Sequence, residues 1–356
     1  MDSTIYRKIE NHLMEIIQQN VNLHNYKLPS ERMLSTTFNA SRKPVRHAYQ
    51  NLIAKGYVEN IHGKGYFIGQ KAKQDAVVPS SWNSPKISLI IPSIVTQYSH
   101  DILSGASDFC SSHHLELAIH ISDDKLDKES YLLHTIPLSD IKGIILFPSD
   151  NDNAYNAELS KLSIRKYPLV LVDRMISNVH ASFFSSENHQ AMIDAVGFLH
   201  KKGFRHLVYM TSPSTLATTV DARINGFTHG LLRHYKMAKP QNIQVLEGSF
   251  LNMKERAVKY LKENPETEVV VVSGPMRLPV LAAAEELDIP IPGKLRLMII
   301  DDELSPSEHR SLKPYILKQD GYQIGYLAAQ SLYNQIYGDL RTVIKKLPVS
   351  IVDTNE

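Results

Sequence analysis

The sequence of 356 residues has very little cysteine, no long apolar run and no large excess of charge of either sign. Cys110 is the only cysteine, which excludes an internal disulfide and the four-cysteine zinc modules and makes a reducing compartment the simpler expectation. No apolar stretch approaches the roughly 18 residues of a membrane-spanning helix. The first twenty residues also lack the apolar core of a secretory signal, so we expect a soluble, cytoplasmic protein.

Basic side chains are concentrated near the N-terminus, although the 39 basic and 37 acidic residues of the whole chain leave a formal net charge of only +2. Residues 1–70 carry nine Lys or Arg and five Asp or Glu, a net charge of +4, and the remainder is −2. This asymmetry suits a phosphate-facing N-terminal domain on a neutral body. The segment after residue 69 contains two prolines and lacks apolar periodicity, which predicts a linker. We therefore predict domains at 1–69 and 86–356, joined by a linker over 70–85.

The first domain shows the pattern of three helices followed by a hairpin. Isoleucines and leucines at helical spacing predict a helix over about residues 3–20. Ser30 and Ser41 are typical N-caps of a second and a third helix, and Gly56 is a plausible stop after the third. Two β-rich runs around a Gly-Lys-Gly turn predict the hairpin, at Tyr57–Ile61 and Tyr66–Ile68.

Three helices and a hairpin within 70 residues predict a winged helix-turn-helix, whose third helix enters the major groove of DNA. The start of that helix carries Arg42, Lys43 and Arg46. An arginine there can donate two hydrogen bonds to a guanine edge, worth about 1–3 kcal/mol of discrimination. Each charge taken alone could equally belong to a solvated helix face, but together with the glycine-rich hairpin tip they favour DNA binding.

Residues 28–68 resemble the DNA-binding domain of the GntR family of bacterial regulators. They share its L-P-S-E-R segment, its S-R-x-x-V-R-x-A segment and its Gly-x-Gly wing. Lys43 and Pro44 depart from the family, whose members often carry small hydroxylated residues there, so we expect a different half-site sequence. The resemblance implies that eight residues contact DNA: Arg32, Ser41, Arg42, Pro44, Arg46, His62, Gly63 and Lys64.

From residue 86 onward, short runs rich in Val, Ile and Leu alternate with helix-length segments, which predicts an α/β fold of parallel sheets covered on both faces. About 270 residues are many for one open sheet, so we predict two lobes. Lobe 1 is expected at about 86–188 and 319–340, and lobe 2 at about 189–318 and 341–356. The predicted strands are Ile87–Ile91, Leu115–Ile119, Gly143–Phe147, Leu169–Val172, His206–Met210, Ile243–Leu246, Val269–Val272 and Leu295–Ile300.

The motifs of common enzymes are missing from the sequence. It contains no G-x-S-x-G elbow, no Walker loop, no H-E-x-x-H segment and no cysteines at ligand spacing. His113, His114 and His120 are better explained as surface histidines than as ligands. Asp301 and its two acidic neighbours follow a predicted buried strand, where one carboxylate facing a pocket is more plausible than a metal site. We therefore expect no enzyme activity, no cofactor and no metal.

The second domain resembles the effector-binding domain of the lactose-repressor family, which has the fold of periplasmic sugar-binding proteins. The matching segments are ISLIIPS, IKGIILFPSD, YPLVLVDR, HKKGFRHLVYMTSP, RINGF, LMIIDDE and LKQDGYQIGYLAA. Relatives usually have Asn-Asp where this chain has Gly274 and Pro275, so its ligand need not be an ordinary hexose. The resemblance implies an effector site formed by Arg223, Asp301 and Gln319, by Tyr98 and Asp150 from the other lobe, and by Phe250 as an aromatic face for a sugar.

The combination of the two domains resembles the arabinose-repressor type of bacterial regulators. It implies a dimeric transcriptional repressor of carbohydrate catabolism that binds an operator and a small sugar, of which a pentose or deoxyhexose is the expected kind. One alternative is corepression by a purine or a phosphorylated metabolite. Another is a DNA-binding head fused to an aminotransferase-like domain, which needs a pocket lysine that no predicted strand end supplies. The sequence does not identify the effector, the direction of its effect or the operator.

Overall fold

The computed structural model describes residues 3–21, 26–75, 84–149, 157–176, 179–213, 218–301, 304–339 and 341–355. The chain divides into two compact units, Met1–Ser84 and Pro85–Glu356. Among the described residues, no helix is both long enough and apolar enough to cross a membrane.

The first unit has the predicted winged-helix architecture. Its three helices bury one apolar core, which includes Leu13, Val45 and Leu52. The Ser30 hydroxyl accepts a hydrogen bond from the Met33 amide at 3.2 Å, as expected of an N-cap, whereas no capping bond is made by the side chain of Ser41. The elements are α1 Ser3–Asn20, α2 Glu31–Thr37, α3 Arg42–Ala54, β1 Val58–Ile61, β2 Gly65–Ile68 and α4 Gln70–Asp75.

The segment after the hairpin is a helix, so the expectation of a linker from residue 70 was wrong at its start. Ala72 of α4 is only 5% exposed and belongs to the apolar core of the first unit. One small apolar side chain gives too weak a periodic signal to reveal so short a helix in the sequence. The rest of the predicted linker includes 76–83, which lie outside the described residues.

The second unit contains two six-stranded sheets, one in each lobe. In lobe 1 the strand order is β13-β7-β6-β5-β3-β4, and every neighbouring pair is parallel. These strands are β3 Lys86–Ile91, β4 Glu116–Ile121, β5 Ile141–Leu146, β6 Leu169–Val172, β7 Ser182–Ser186 and β13 Ile344–Leu347. The helices that accompany them are α5 Gln97–Ser112, α6 Leu126–Thr135, α7 Ala157–Ile164 and α13 Gly321–Ile336.

Lobe 2 repeats this arrangement with the strand order β14-β12-β11-β10-β8-β9, in which only β14 is antiparallel to its neighbour. Its strands are β8 Leu207–Thr211, β9 Ile243–Val245, β10 Val269–Ser273, β11 Arg296–Ile300, β12 Tyr315–Lys318 and β14 Ser350–Asp353. Its helices are α8 Asn188–Lys201, α9 Thr218–Tyr235, α10 Phe250–Glu263, α11 Arg277–Glu286 and α12 Pro306–Leu312.

The chain crosses between the lobes three times, and the third crossing corrects a predicted boundary. The sequence assigned 341–356 to lobe 2, but β13 pairs in parallel with β7 and extends the sheet of lobe 1. The crossing falls after Leu347, and only β14 joins lobe 2. The other crossings follow β7 and β12. Because β13 is a lysine-containing edge strand with three exposed positions, its sequence does not show which sheet it joins.

Glycines let the helices that follow the first two crossings pack closely against a partner helix. A Cβ atom at Gly325 of α13 would lie 1.9 Å from the Ile102 carbonyl oxygen of α5, and one at Gly226 of α9 would lie 2.2 Å from the His189 carbonyl oxygen of α8. Both distances are far inside van der Waals contact with backbone atoms that cannot rotate away. The glycine of the R-x-x-G-F segment is therefore required by packing.

The substitution Gly226→Ala should separate α8 from α9 and destabilise the second unit. Overpacking of this kind costs about 1–3 kcal/mol, and the clash with backbone places the effect at the upper end. Urea unfolding should show a lower midpoint. Asn225→Ala, at the exposed neighbouring position of α9, is the control and should stay within about 0.5 kcal/mol of the parent. Equal stability of Gly226→Ala and the parent would contradict the close helix contact.

Candidate functional site

The predicted DNA-contacting residues of the first unit are mostly exposed. Arg42 begins α3, and Arg32 lies in the first turn of α2. His62, Gly63 and Lys64 form the exposed turn between β1 and β2. The backbone of Gly63 has φ +74°, and a Cβ atom there would meet nothing within 4 Å, so the wing tip is open. Ser41 is also exposed, and Pro44 is partly exposed.

Arg46 is held in place by a carboxylate that the sequence reasoning did not single out. Its Nη2 and Nε atoms donate to the two carboxylate oxygens of Glu31 at 3.2 and 3.4 Å, and the Tyr66 hydroxyl donates to Oε1 at 2.7 Å. Burial alone would raise the pKa of Glu31, but the hydrogen bonds from Tyr66 and Arg46 lower it overall. Tyr66 stacks on buried Tyr49 with ring centroids 3.8 Å apart. The glutamate of the L-P-S-E-R segment therefore joins α2, α3 and the wing.

In the second unit, Tyr98 of lobe 1 forms a buried pair with Asp173. Tyr98 lies at the start of α5, is 8% exposed, and donates its hydroxyl hydrogen to Asp173 Oδ1 at 2.9 Å. Burial raises the pKa of the Tyr98 phenol, and the carboxylates of Asp173 and Asp301 raise it further, although Arg223 opposes them. Tyr98 thus remains protonated as a donor. The same influences show that Asp301 and Arg223 of lobe 2 lie near this pair.

Asp173 and Asp301 occupy equivalent positions in the two lobes. Each is the first residue after a strand, β6 or β11, and each has a left-handed backbone with φ +62° or +66°. The Asp173 amide donates to the Phe184 carbonyl at 2.9 Å, and the Asp301 amide donates to the Leu317 carbonyl at 3.0 Å. The resemblance to the lactose-repressor family implies a ligand contact for Asp301 but not for Asp173. The sequence feature that could have identified Asp173 is an aspartate directly after an apolar strand, which is present both in V-D-R and in I-I-D.

Arg223 supplies the positive charge of this cluster. Its Nε atom donates to Asn188 Oδ1 at 2.7 Å. Burial would lower the pKa of Arg223, but Tyr209, Asp301, Asp173 and Tyr98 together raise it. Arg223 is therefore a permanently charged group near carboxylates of both lobes.

Gln319 contributes a buried acceptor that is not satisfied. Its Nε2 atom donates to both carboxylate oxygens of Asp301, at 3.0 Å each, and the residue is only 5% exposed. Within the described parts of the chain, its Oε1 atom has no hydrogen-bond partner. A buried acceptor in that state costs about 1–3 kcal/mol. A ligand hydroxyl that donated to Oε1 would remove this cost.

Phe250 and Asp150 are the two remaining sequence candidates for the effector site. Phe250 begins α10 and is 50% exposed. Asp150 lies outside the described residues. Gly274 and Pro275 follow β10, which lies between β8 and β11 in the sheet of lobe 2. Neither of these two side chains can donate a hydrogen bond at the carboxyl end of that strand.

The three histidines considered in the sequence also lie apart from the cluster in what the structure describes. His113 stacks on Phe109, and His120 shares a hydrogen bond of 3.0 Å with Ser88. His114 is exposed in the turn after α5. The described residues contain no group of three or more His, Cys, Asp or Glu side chains that could hold a metal ion.

Two family models match separate parts of the chain. The model for bacterial regulatory proteins of the gntR family matches residues 5–68, and the model for the periplasmic binding protein-like domain matches residues 196–352.

Similar proteins are known from curated sequences and solved structures. The arabinose metabolism transcriptional repressor of Halalkalibacterium halodurans is 22% identical over 310 residues, which cover 84% of this chain and 80% of that protein. The ribose operon repressor of Bacillus subtilis is 26% identical over 270 residues, covering 74% of this chain and 75% of that protein. The transcription regulator CcpA of Lactococcus lactis shares the fold, with a TM-score of 0.65 at 19% identity over 76% of this chain and 98% of that one.

A winged-helix domain joined to a two-lobed α/β domain defines a DNA-binding transcriptional regulator. The chain combines a GntR-family DNA-binding domain with a periplasmic-binding-protein-like domain, and its homologues are LacI- and GntR-type repressors, not enzymes. Both resemblances inferred from the sequence are thereby confirmed, as is the α/β fold class.

Proposed function

We propose that this protein is a cytoplasmic, dimeric repressor of carbohydrate catabolism genes whose affinity for its operator is controlled by a small free sugar bound between the two lobes. The observation that carries the proposal is the cluster of Tyr98 and Asp173 from lobe 1 with Arg223 and Asp301 from lobe 2 and Gln319 at the crossing after β12. Carboxylates accept hydrogen bonds from sugar hydroxyls, and the arginine donates to them. The unsatisfied Oε1 atom of Gln319 offers one further acceptor.

The charges of the cluster favour an uncharged effector. Two carboxylates, Asp173 and Asp301, accompany Arg223, and Arg174 beside Asp173 is already bonded to Asp124 and to the Pro148 carbonyl. A phosphate group would therefore meet no excess of positive charge. A pentose or a deoxyhexose presents only hydroxyl groups and a ring oxygen. The repressors of arabinose metabolism and of the ribose operon among the relatives support this class of ligand. A phosphorylated corepressor is less compatible with the site. A purine is the other alternative, and the binding screen described below tests it.

A change in lobe closure would alter DNA binding through the dimer. A ligand shifts an equilibrium only by its preference for one state, and a hundredfold preference corresponds to about 2.7 kcal/mol. We propose that the sugar favours the closure angle in which the two DNA-binding domains no longer match the half-site spacing, so that repression is relieved. On the DNA side, the contacts proposed are those of Arg32, Ser41, Arg42, Pro44, Arg46 and the wing tip.

A thermal-shift screen of the purified protein tests the ligand class. Pentoses, deoxyhexoses, hexoses, their phosphates and purines are compared, because a ligand that binds only the native state stabilises it, by about 2.7 kcal/mol at a hundredfold excess over Kd. We expect a rise in Tm with one free sugar. A rise only with a sugar phosphate or a purine would replace the proposed effector while retaining the fold.

Glu31→Gln should weaken operator binding without unfolding the first unit. The amide oxygen can still accept from Tyr66, but the ion pair that orients Arg46 is lost. The carboxylate–guanidinium bonds are exposed, so we expect only a several-fold loss of operator affinity, to which both DNA-binding domains of a dimer contribute. Fluorescence anisotropy with labelled operator measures the effect. Glu59→Gln, on the exposed face of the hairpin, is the control. An unchanged operator affinity in Glu31→Gln would show that Arg46 does not need the ion pair with Glu31 to contact DNA.

A further inference from the structure

The segments that connect the two lobes are held to one another by backbone hydrogen bonds. The Glu187 amide, directly after β7, donates to the Leu347 carbonyl at 2.8 Å. On the side of lobe 2, Lys318 at the end of β12 pairs with Ser350 at the start of β14. A change in the angle between the lobes must therefore be absorbed within a few residues at these crossings, which include the step from Ser186 to Asn188.

The side chain of Asn188 makes one hydrogen bond on each side of the first crossing. Its Oδ1 atom accepts from Nε of Arg223, which lies on α9 of lobe 2, at 2.7 Å. Its Nδ2 atom donates to the carbonyl of Ser186, the last residue of β7 in lobe 1, at 3.2 Å. Asn188 is the first residue of α8 and is only 5% exposed. Water cannot readily replace either bond at such a site.

We propose that Asn188 is a positioning residue that couples the guanidinium of Arg223 to the angle between the lobes. This inference rests on the proposed function only in assigning Arg223 to the effector. When the hydroxyls of a ligand accept hydrogen bonds from the guanidinium of Arg223 and shift it, the side chain of Asn188 moves with it. The second hydrogen bond of Asn188 then displaces Ser186, the last residue of β7 in lobe 1. Ligand contact is thereby converted into movement at the crossing.

Gln319, the amide beside another crossing, has a different role. It bonds to the carboxylate of Asp301, and its Oε1 atom is left unsatisfied, as a ligand contact requires. Asn188 instead uses its oxygen and its nitrogen in bonds to the protein. In this proposal Gln319 contacts the ligand, whereas Asn188 couples Arg223 to the angle between the lobes.

The distance between the lobes tests this proposal without any ligand. In the full-length protein with Cys110→Ser, spin labels are attached to cysteines that replace the exposed residues Tyr131 of lobe 1 and Lys259 of lobe 2. The labelled protein is diluted with an excess of unlabelled protein, so that distances within one chain dominate the double electron–electron resonance signal. We expect Asn188→Ala to broaden and shift the distribution of distances relative to the parent.

Two further variants make the result specific. Gln190→Ala removes an amide of the same helix that bonds only locally, to Asp194 at 2.8 Å, and should leave the distribution unchanged. Asn188→Asp keeps the acceptor for Arg223 but cannot donate to Ser186, so it should resemble Asn188→Ala; it also serves if the alanine variant does not fold. A parental distribution in Asn188→Asp, or in both Asn188 variants, would overturn the proposal. Failure of the sugar screen would overturn the proposed effector and leave this test intact.

Discussion

Replacing Arg42 by alanine should abolish specific operator binding and leave effector binding unchanged. Arg42 is exposed at the first position of α3, where a side chain can reach base edges in the major groove. A bidentate contact with guanine discriminates by about 1–3 kcal/mol, and a dimer loses two such contacts, about 2–6 kcal/mol in all. The change lies in the first unit, whereas the effector cluster lies wholly in the second.

Fluorescence anisotropy measures this loss with operator and with unrelated DNA. We expect Arg42→Ala to bind operator and unrelated DNA with almost equal affinity. The salt dependence of its binding should decrease only by the amount expected for about one phosphate contact per domain. Lys71→Ala, which removes a basic side chain of α4 away from the start of α3, is the control and should retain sequence preference. Equal loss of operator binding and effector binding in Arg42→Ala would mean that the DNA-binding role had been given to the wrong domain.

Replacing Asp301 by alanine should give a repressor that binds its operator but does not respond to effector. The substitution removes the proposed acceptor for effector hydroxyls and the observed partner of the Gln319 amide. A hydrogen bond to a charged group contributes about 1.5–3 kcal/mol, so effector affinity should fall roughly 10- to 150-fold. Asp301→Asn is the closer variant, because asparagine tolerates the left-handed backbone at φ +66°.

Isothermal titration with the effector from the screen and anisotropy with operator test this pair of expectations. Asp194→Asn, an exposed carboxylate of α8 that bonds to Gln190, is the matched control and should respond normally. Operator affinity without effector should be the same in all of these variants. A normal effector response in Asp301→Ala would remove Asp301 from the binding site.

Most of the fold could be predicted because the patterns are local. The three N-terminal helices and ten of the strands, the two of the hairpin and eight of the second unit, follow from apolar spacing, caps and turns that lie within a few residues of one another. The strand β7, SFFSS, begins and ends with serine, so its composition does not identify it as buried sheet. The strand β13, IKKL, is an edge strand whose place in lobe 1 depends on a partner more than 150 residues away in the chain. Such pairings cannot be inferred from local composition.

The site could be predicted in part, and the missing part depends on tertiary contacts. Arg223, Asp301 and Gln319 were expected to lie together because each matches a segment of the resembled family, and the structure places them within one cluster. The resemblance implies no ligand contact for Asp173 or Asn188, because their roles depend on partners in distant segments, Tyr98 and Arg223. Phe250 also matches a family position, and its ring is 50% exposed at the start of α10.

The most direct test of sugar-controlled repression is the operator affinity of the full-length protein with and without a saturating concentration of the sugar found by the thermal-shift screen. An operator selected from random double-stranded DNA is suitable, at one fixed salt concentration. We predict that the sugar weakens operator binding by about a hundredfold, a coupling of about 2.7 kcal/mol. Equal operator affinity in the presence and absence of a sugar that raises Tm would contradict the account.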